Sequence, residues 1–142
     1  MSLFSNTYFC IMKTNNVEQY FKTFIDDNKL NTPKIKFLLA VSGGVDSIVL
    51  LSLFIKSKLN FSVCSCDFSL RGNDAKKDIL HVKKICSDKK IKFFSKVFDT
   101  KKYSKSNKIS IQMASRDLRY NWFNKIIKDN SINYLVTAHH SD

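Results

Sequence analysis

Apolar positions recur at helical spacing over residues 17–28, where Val17, Tyr20, Phe21, Phe24 and Ile25 share one side of a predicted amphipathic helix. The only proline, Pro33, closes the loop that follows. Residues 35–41 are almost continuously apolar, as expected for a central strand buried on both faces. An apolar helix carrying Ile48, Val49, Leu51, Leu53, Phe54 and Ile55 ends near Lys56. Residues 61–68 read as a second strand, and 74–89 as a helix with Ile79, Leu80, Val82 and Ile85 on its apolar side. A third strand spans 91–98, a polar lysine-rich loop with room for a short helix spans 99–110, a long helix spans 111–129, and a fourth strand spans 132–138. Residues 1–16 lack a pattern and read as an irregular lead-in; no internal repeat is visible.

Strands that alternate with helices predict a parallel α/β sheet with right-handed crossovers. A length of 142 residues fits one domain, expected over 17–142. The sequence stops four residues after the fourth predicted strand, so the expected domain is truncated there.

Hydrophobic residues make up 44% of the chain, enough to form a core and to exclude disorder as the default. No apolar run approaches the ~20 residues of a membrane span, and the first residues lack the features of a signal peptide. The expectation is a cytoplasmic protein with no membrane partner. Cys10, Cys64, Cys66 and Cys86 contain no Cys-x-x-Cys pair, which argues against a zinc ribbon or a thioredoxin-type motif. Cys64 and Cys66 would share one face of a strand and serve as small buried apolar groups.

The net charge of +12 suits a polyanionic partner, although much of it comes from a general abundance of lysine. Against 21 lysines stand three arginines (Arg71, Arg116, Arg119), and the only glycines are Gly43, Gly44 and Gly72. In so skewed a composition, a remaining arginine points to a need for the planar guanidinium fork. A remaining glycine points to backbone geometry that a Cβ would forbid.

All six residues lie in or beside candidate chemistry. Ser42, Gly43, Gly44, Val45, Asp46 and Ser47 connect the first strand to a helix. Glycines there let the backbone approach phosphate oxygens, Ser42 and Ser47 supply hydroxyls, and the helix start supplies amides and the positive end of its dipole. Asp46 is out of place beside a phosphate unless it holds Mg²⁺. The segment is neither a Walker A loop nor GxGxxG. After the second strand come Asp67, a candidate for ribose or base, and Arg71, a candidate for phosphate or for ordering the loop; Asp74 could cap the next helix and pair with Arg71. Gln112, Arg116 and Arg119 would form a row of donors on the long helix, with Tyr120, Phe123, Ile127 and Trp122 packing inward. His139 and Asp142 follow the fourth strand, which should neighbour the first across the switch point. His139 could act there as a donor or base and Asp142 as a metal or substrate ligand, or the histidine pair could be solvated and idle.

These segments together resemble the PP-loop family of N-type ATP pyrophosphatases, and within it the tRNA(Ile)-lysidine synthetases. The pattern of that group is SGGxDS, then LRG with acidic residues, then A-x-R-x-x-R-Y, then T-A-H-H-x-D-D-Q-x-E-T. This chain reads SGGVDS, SLRGNDAKKD, MASRDLRYNWF and TAHHSD. The resemblance implies a Rossmann-like, doubly wound sheet of the adenine nucleotide alpha hydrolase type. It implies that residues 42–47 bind ATP, that Asp46 holds Mg²⁺, and that Asp46, Arg116, Arg119, His139 and Asp142 form the catalytic set. It further implies that the partners are tRNA(Ile) with a CAU anticodon and L-lysine, in a possible homodimer. The C2 carbonyl of the wobble cytidine is adenylated and lysine displaces AMP. The later acidic residues of the fourth motif are absent, as are the C-terminal tRNA-binding domains of longer relatives. A tRNA thiolase is disfavoured by the lack of Cys-x-x-Cys and an amidotransferase by the lack of a glutaminase domain; the missing acids favour a non-catalytic remnant.

Overall fold

The computed structural model describes residues 17–138. Among them run α1 (Val17–Asp27), β1 (Phe37–Ala40), α2 (Val45–Lys56), β2 (Phe61–Asp67), α3 (Asn73–Asp88), β3 (Phe93–Val97), α4 (Thr100–Asn107), α5 (Ile111–Asp129) and β4 (Tyr134–Thr137). The strands form one all-parallel sheet in the order β3-β2-β1-β4. Each predicted strand and long helix is present. The lysine-rich stretch holds a helix, α4, where Asp99 accepts from the Lys102 N–H and Lys108 ends the turn at φ 53°.

Side chains on β1 alternate between two cores, as the pleat of a strand requires. Phe37, Leu39 and Val41 pack with Phe21 and Ile25 of α1, Leu50 and Phe54 of α2, and Val82 of α3. Leu38 turns to the other face with Cys64 and Leu135, against Phe123, Ile126 and Ile127 of α5. Helices therefore cover both faces, and the sheet is of the doubly wound, Rossmann-like kind.

The chain steps outward from β1 to β2 to β3, then returns to pair β4 with the other side of β1, Ala40 opposite Thr137. The strand order reverses between β1 and β4. Crevices at the carboxyl ends of strands at such a reversal are where open α/β sheets bind ligands.

Candidate functional site

Val41 carries β1 one step past its regular end. Its N–H donates to the Cys64 carbonyl at 2.9 Å, and its own carbonyl accepts from the buried Ser65 hydroxyl at 2.6 Å. This fixes the point from which residues 42–47 turn into α2. Gly43 adopts φ +89°, and Gly44 is the N-cap at φ −69°, ψ 165°. Ser47, 4% exposed, is the hub of the turn. Its Oγ donates to the Gly44 carbonyl at 2.9 Å, accepts from the Gly43 N–H at 3.1 Å, and lies 3.2 Å from Ser42 Oγ. Ser42 Oγ accepts from the Gly44 N–H at 3.3 Å. Because the single Ser47 proton goes to Gly44, Ser42 is the donor between the two hydroxyls. The glycine amides thus rest on neutral serine oxygens, and an anion can exchange those bonds for charge-assisted ones, which are roughly twice as strong. Asp46 occupies the first turn of α2, half-buried.

Beside this turn is a cleft lined by Ser42 and Ser47, by Cys66 and Phe68 from the end of β2, by Arg119 of α5 and by Ala138 after β4. Arg119 is held in place by an aromatic stack. Its guanidinium carbon lies 5.3 Å from the Phe68 ring centroid, Phe68 stacks on Phe98 at 5.6 Å, and Trp122 meets Phe98 edge-on at 5.9 Å. Thr100 of α4 ties down the same segment by donating to the Phe68 carbonyl at 2.7 Å. Burial pushes the Cys66 thiol up to about 12, with the Arg119 charge pulling the other way. Burial also raises Cys64. Both stay protonated and serve as apolar wall, as expected from the sequence.

A family model described as the PP-loop domain matches residues 13–142 of this sequence. The chain belongs to the PP-loop family.

Similar proteins narrow the likeness. A tRNA(Ile)-lysidine synthase of Bacteroides thetaiotaomicron is 35% identical over 126 residues, 89% of this chain and 30% of the relative. Another, of Petrotoga mobilis, is 41% identical over 84% of this chain and 39% of the relative. A third, of Chlorobaculum tepidum, is 37% identical over 90% and 40%. The chain spans well under half the length of these relatives and matches their N-terminal part. The structure of an NMN synthetase from Francisella tularensis superimposes with a TM-score of 0.63 at 17% identity, covering 84% of this chain and 51% of that one. At that identity the likeness shows the fold alone.

On this PP-loop domain the sequence-selected residues separate. Ser42, Ser47 and Arg119 meet at one cleft. Arg116 is exposed, lies against the Tyr120 ring at 5.8 Å, and does not line that cleft; Gln112 is exposed as well. Phe123 and Ile127 are core and Trp122 packs against aromatics, as expected. Val45 is 81% exposed. Asp67 is buried, accepting from the Ser69 N–H at 2.9 Å, and so holds the turn after β2. Cys10, His139, His140 and Asp142 lie outside the described residues.

Two expectations change. Arg71 pairs with Asp78 at 3.1 Å, not with Asp74, and the N-cap of α3 is Gly72 at φ +60°, with no side-chain cap bond. Asp74 lies two residues past the cap position. Gly44 adopts a conformation open to any residue, and a Cβ there would meet only Ser42 Oγ at 3.5 Å. The strict need for glycine applies to Gly43 and Gly72. Ser65, which anchors the end of β1, was not singled out from the sequence; its place between two same-face cysteines was the signal, since it must point to the opposite face.

Proposed function

We propose that this chain is the ATP-binding, adenylating part of a tRNA(Ile)-lysidine synthase. The reading is carried by one conjunction: a serine-glycine turn at the switch point of a PP-loop domain, in a sequence 35–41% identical to the N-terminal part of such synthases. In this reading residues 42–47 receive the β- and γ-phosphates through the Gly43 and Gly44 amides and the two serine hydroxyls. The chemistry of the donors fits a hard cation poorly supplied by protein. Among the described residues no cluster of three or more His, Cys, Asp or Glu could hold a metal. Asp46 would therefore be its one described carboxylate ligand, with phosphates and water completing the shell, as is usual for Mg²⁺. When bound, Mg²⁺ neutralises phosphate charge as pyrophosphate leaves.

Arg119, fixed over Phe68 at the cleft, supplies a permanent positive charge for the phosphate that becomes AMP. The C2 carbonyl oxygen of the wobble cytidine of the CAU-anticodon tRNA attacks the α-phosphorus and pyrophosphate departs. The lysine amine then forms the C–N bond at C2, AMP leaves with the former carbonyl oxygen, and a proton is released. The neutral Cys64 and Cys66 wall keeps the cleft apolar, which strengthens these charge contacts. Exposed Arg116 and the net charge of +12 suit the RNA backbone. From the motif alone, His139 is assigned the role of donor and Asp142 that of ligand.

The test is ATP–pyrophosphate exchange by the 142-residue chain with Mg²⁺ and CAU-anticodon tRNA(Ile), followed by labelled lysine. The expected result is exchange that requires both Mg²⁺ and tRNA, with lysine the nucleophile that enters RNA. Incorporation of sulfur in place of lysine, or bound ATP with no exchange, would contradict the assignment.

A further inference from the structure

Asp78 lies against the phosphate loop, where a negative charge is unfavourable. Its Cβ, Cγ and Cα are 2.6, 3.1 and 3.3 Å from the point that a Cβ on Gly43 would occupy. Helix α3 therefore seats Asp78 in the gap the glycine leaves. The same carboxylate accepts from Arg71 Nη2 at 3.1 Å. Arg71 arrives from the turn after β2, immediately before Gly72, whose φ of +60° starts α3. The Arg71 and Asp78 side chains are 61% and 34% exposed, so the pair adds little to folding. Its effect falls instead on whatever binds at Gly43. A carboxylate pressed on that residue repels phosphate oxygens unless its charge is cancelled.

We propose that Arg71 acts on nucleotide binding through Asp78. It is a positioning residue that neutralises the acid, so that Asp78 can buttress Gly43 and pin the 69–72 turn without repelling the triphosphate. The inference rests on the ATP reading of the loop. It differs from direct phosphate contact by Arg71 in the sign of one coupling. If Arg71 touches phosphate, its loss is felt whatever stands at 78. If it works by cancelling Asp78, removing the acid as well restores binding.

The experiment is calorimetric titration of the 142-residue chain with Mg·ATP, using Arg71→Ala, Asp78→Asn and the double variant, each checked by thermal melting. Asparagine keeps the shape that fills the Gly43 gap. Arg71→Ala should weaken binding by roughly tenfold, the order expected for one uncompensated charge near the surface. Asp78→Asn and the double variant should both lie within about threefold of the unaltered chain, since neither leaves a bare carboxylate at the loop. A double variant as weak as Arg71→Ala, or an Arg71→Ala that binds normally, overturns the inference and leaves the ATP reading intact. An unaltered chain that takes up no Mg·ATP overturns the functional reading, and this inference with it.

Discussion

Gly43→Ala should be the most damaging single substitution in the 42–47 turn, and Gly44→Ala one of the mildest for folding. At φ +89° an alanine at 43 costs about 1–2 kcal/mol for its backbone alone. Its Cβ would also lie 2.6 Å from Asp78 Cβ, an atom fixed to the helix backbone that cannot swing aside. Moving α3 to make room adds about 1–3 kcal/mol, as overpacking does. A drop in melting temperature of roughly 10 °C follows for a domain of this size, together with loss of measurable Mg·ATP binding as the amide at 43 turns away. At Gly44 an added Cβ meets only Ser42 Oγ at ordinary contact distance. That variant should melt within about 2 °C of the unaltered chain. The comparison is made by circular dichroism melts of the two variants side by side. If both melt alike, Gly43 is not held by α3 as described.

Asp46→Asn should leave the fold almost untouched and remove the metal dependence of catalysis. The residue is half-buried in the first turn of α2, where its charge adds about 0.3–1 kcal/mol through the helix dipole. Asparagine retains the size of the side chain and can still accept hydrogen bonds. What it loses is the hard anionic oxygen that Mg²⁺ requires. ATP–pyrophosphate exchange should fall by about 10²–10³-fold, comparable to removing one preorganised electrostatic contact from a transition state. Raising Mg²⁺ should not recover it. Exchange at the unaltered rate, with the same Mg²⁺ response, would take Asp46 out of the site.

The features legible in the sequence are those written in local patterns. Continuous apolar strands and a glycine pair directly after the first of them located the sheet and the loop, because burial on both faces and a tight turn each demand particular residues nearby. Helix α4 was hard to see because it buries Thr100 and Ser104 in place of an apolar stripe. The seating of Asp78 against Gly43 was invisible because it joins residues 35 apart that meet only when α3 lies across the loop. The two arginines of α5 read as equivalent at a spacing of three, yet such positions point about 60° apart around a helix. That angle is enough to send Arg119 over Phe68 at the cleft and leave Arg116 on Tyr120 outside it.

Composition offers the most direct test of nucleotide binding. With three glycines in the chain, ¹⁵N-glycine labelling gives one amide signal each for Gly43, Gly44 and Gly72. Titration with Mg·ATP should move the Gly43 and Gly44 signals strongly, as their amides trade Ser47 and Ser42 for phosphate, while Gly72 moves little. Three signals that stay in place at millimolar Mg·ATP, in a chain that remains folded, would contradict binding of the triphosphate at this turn.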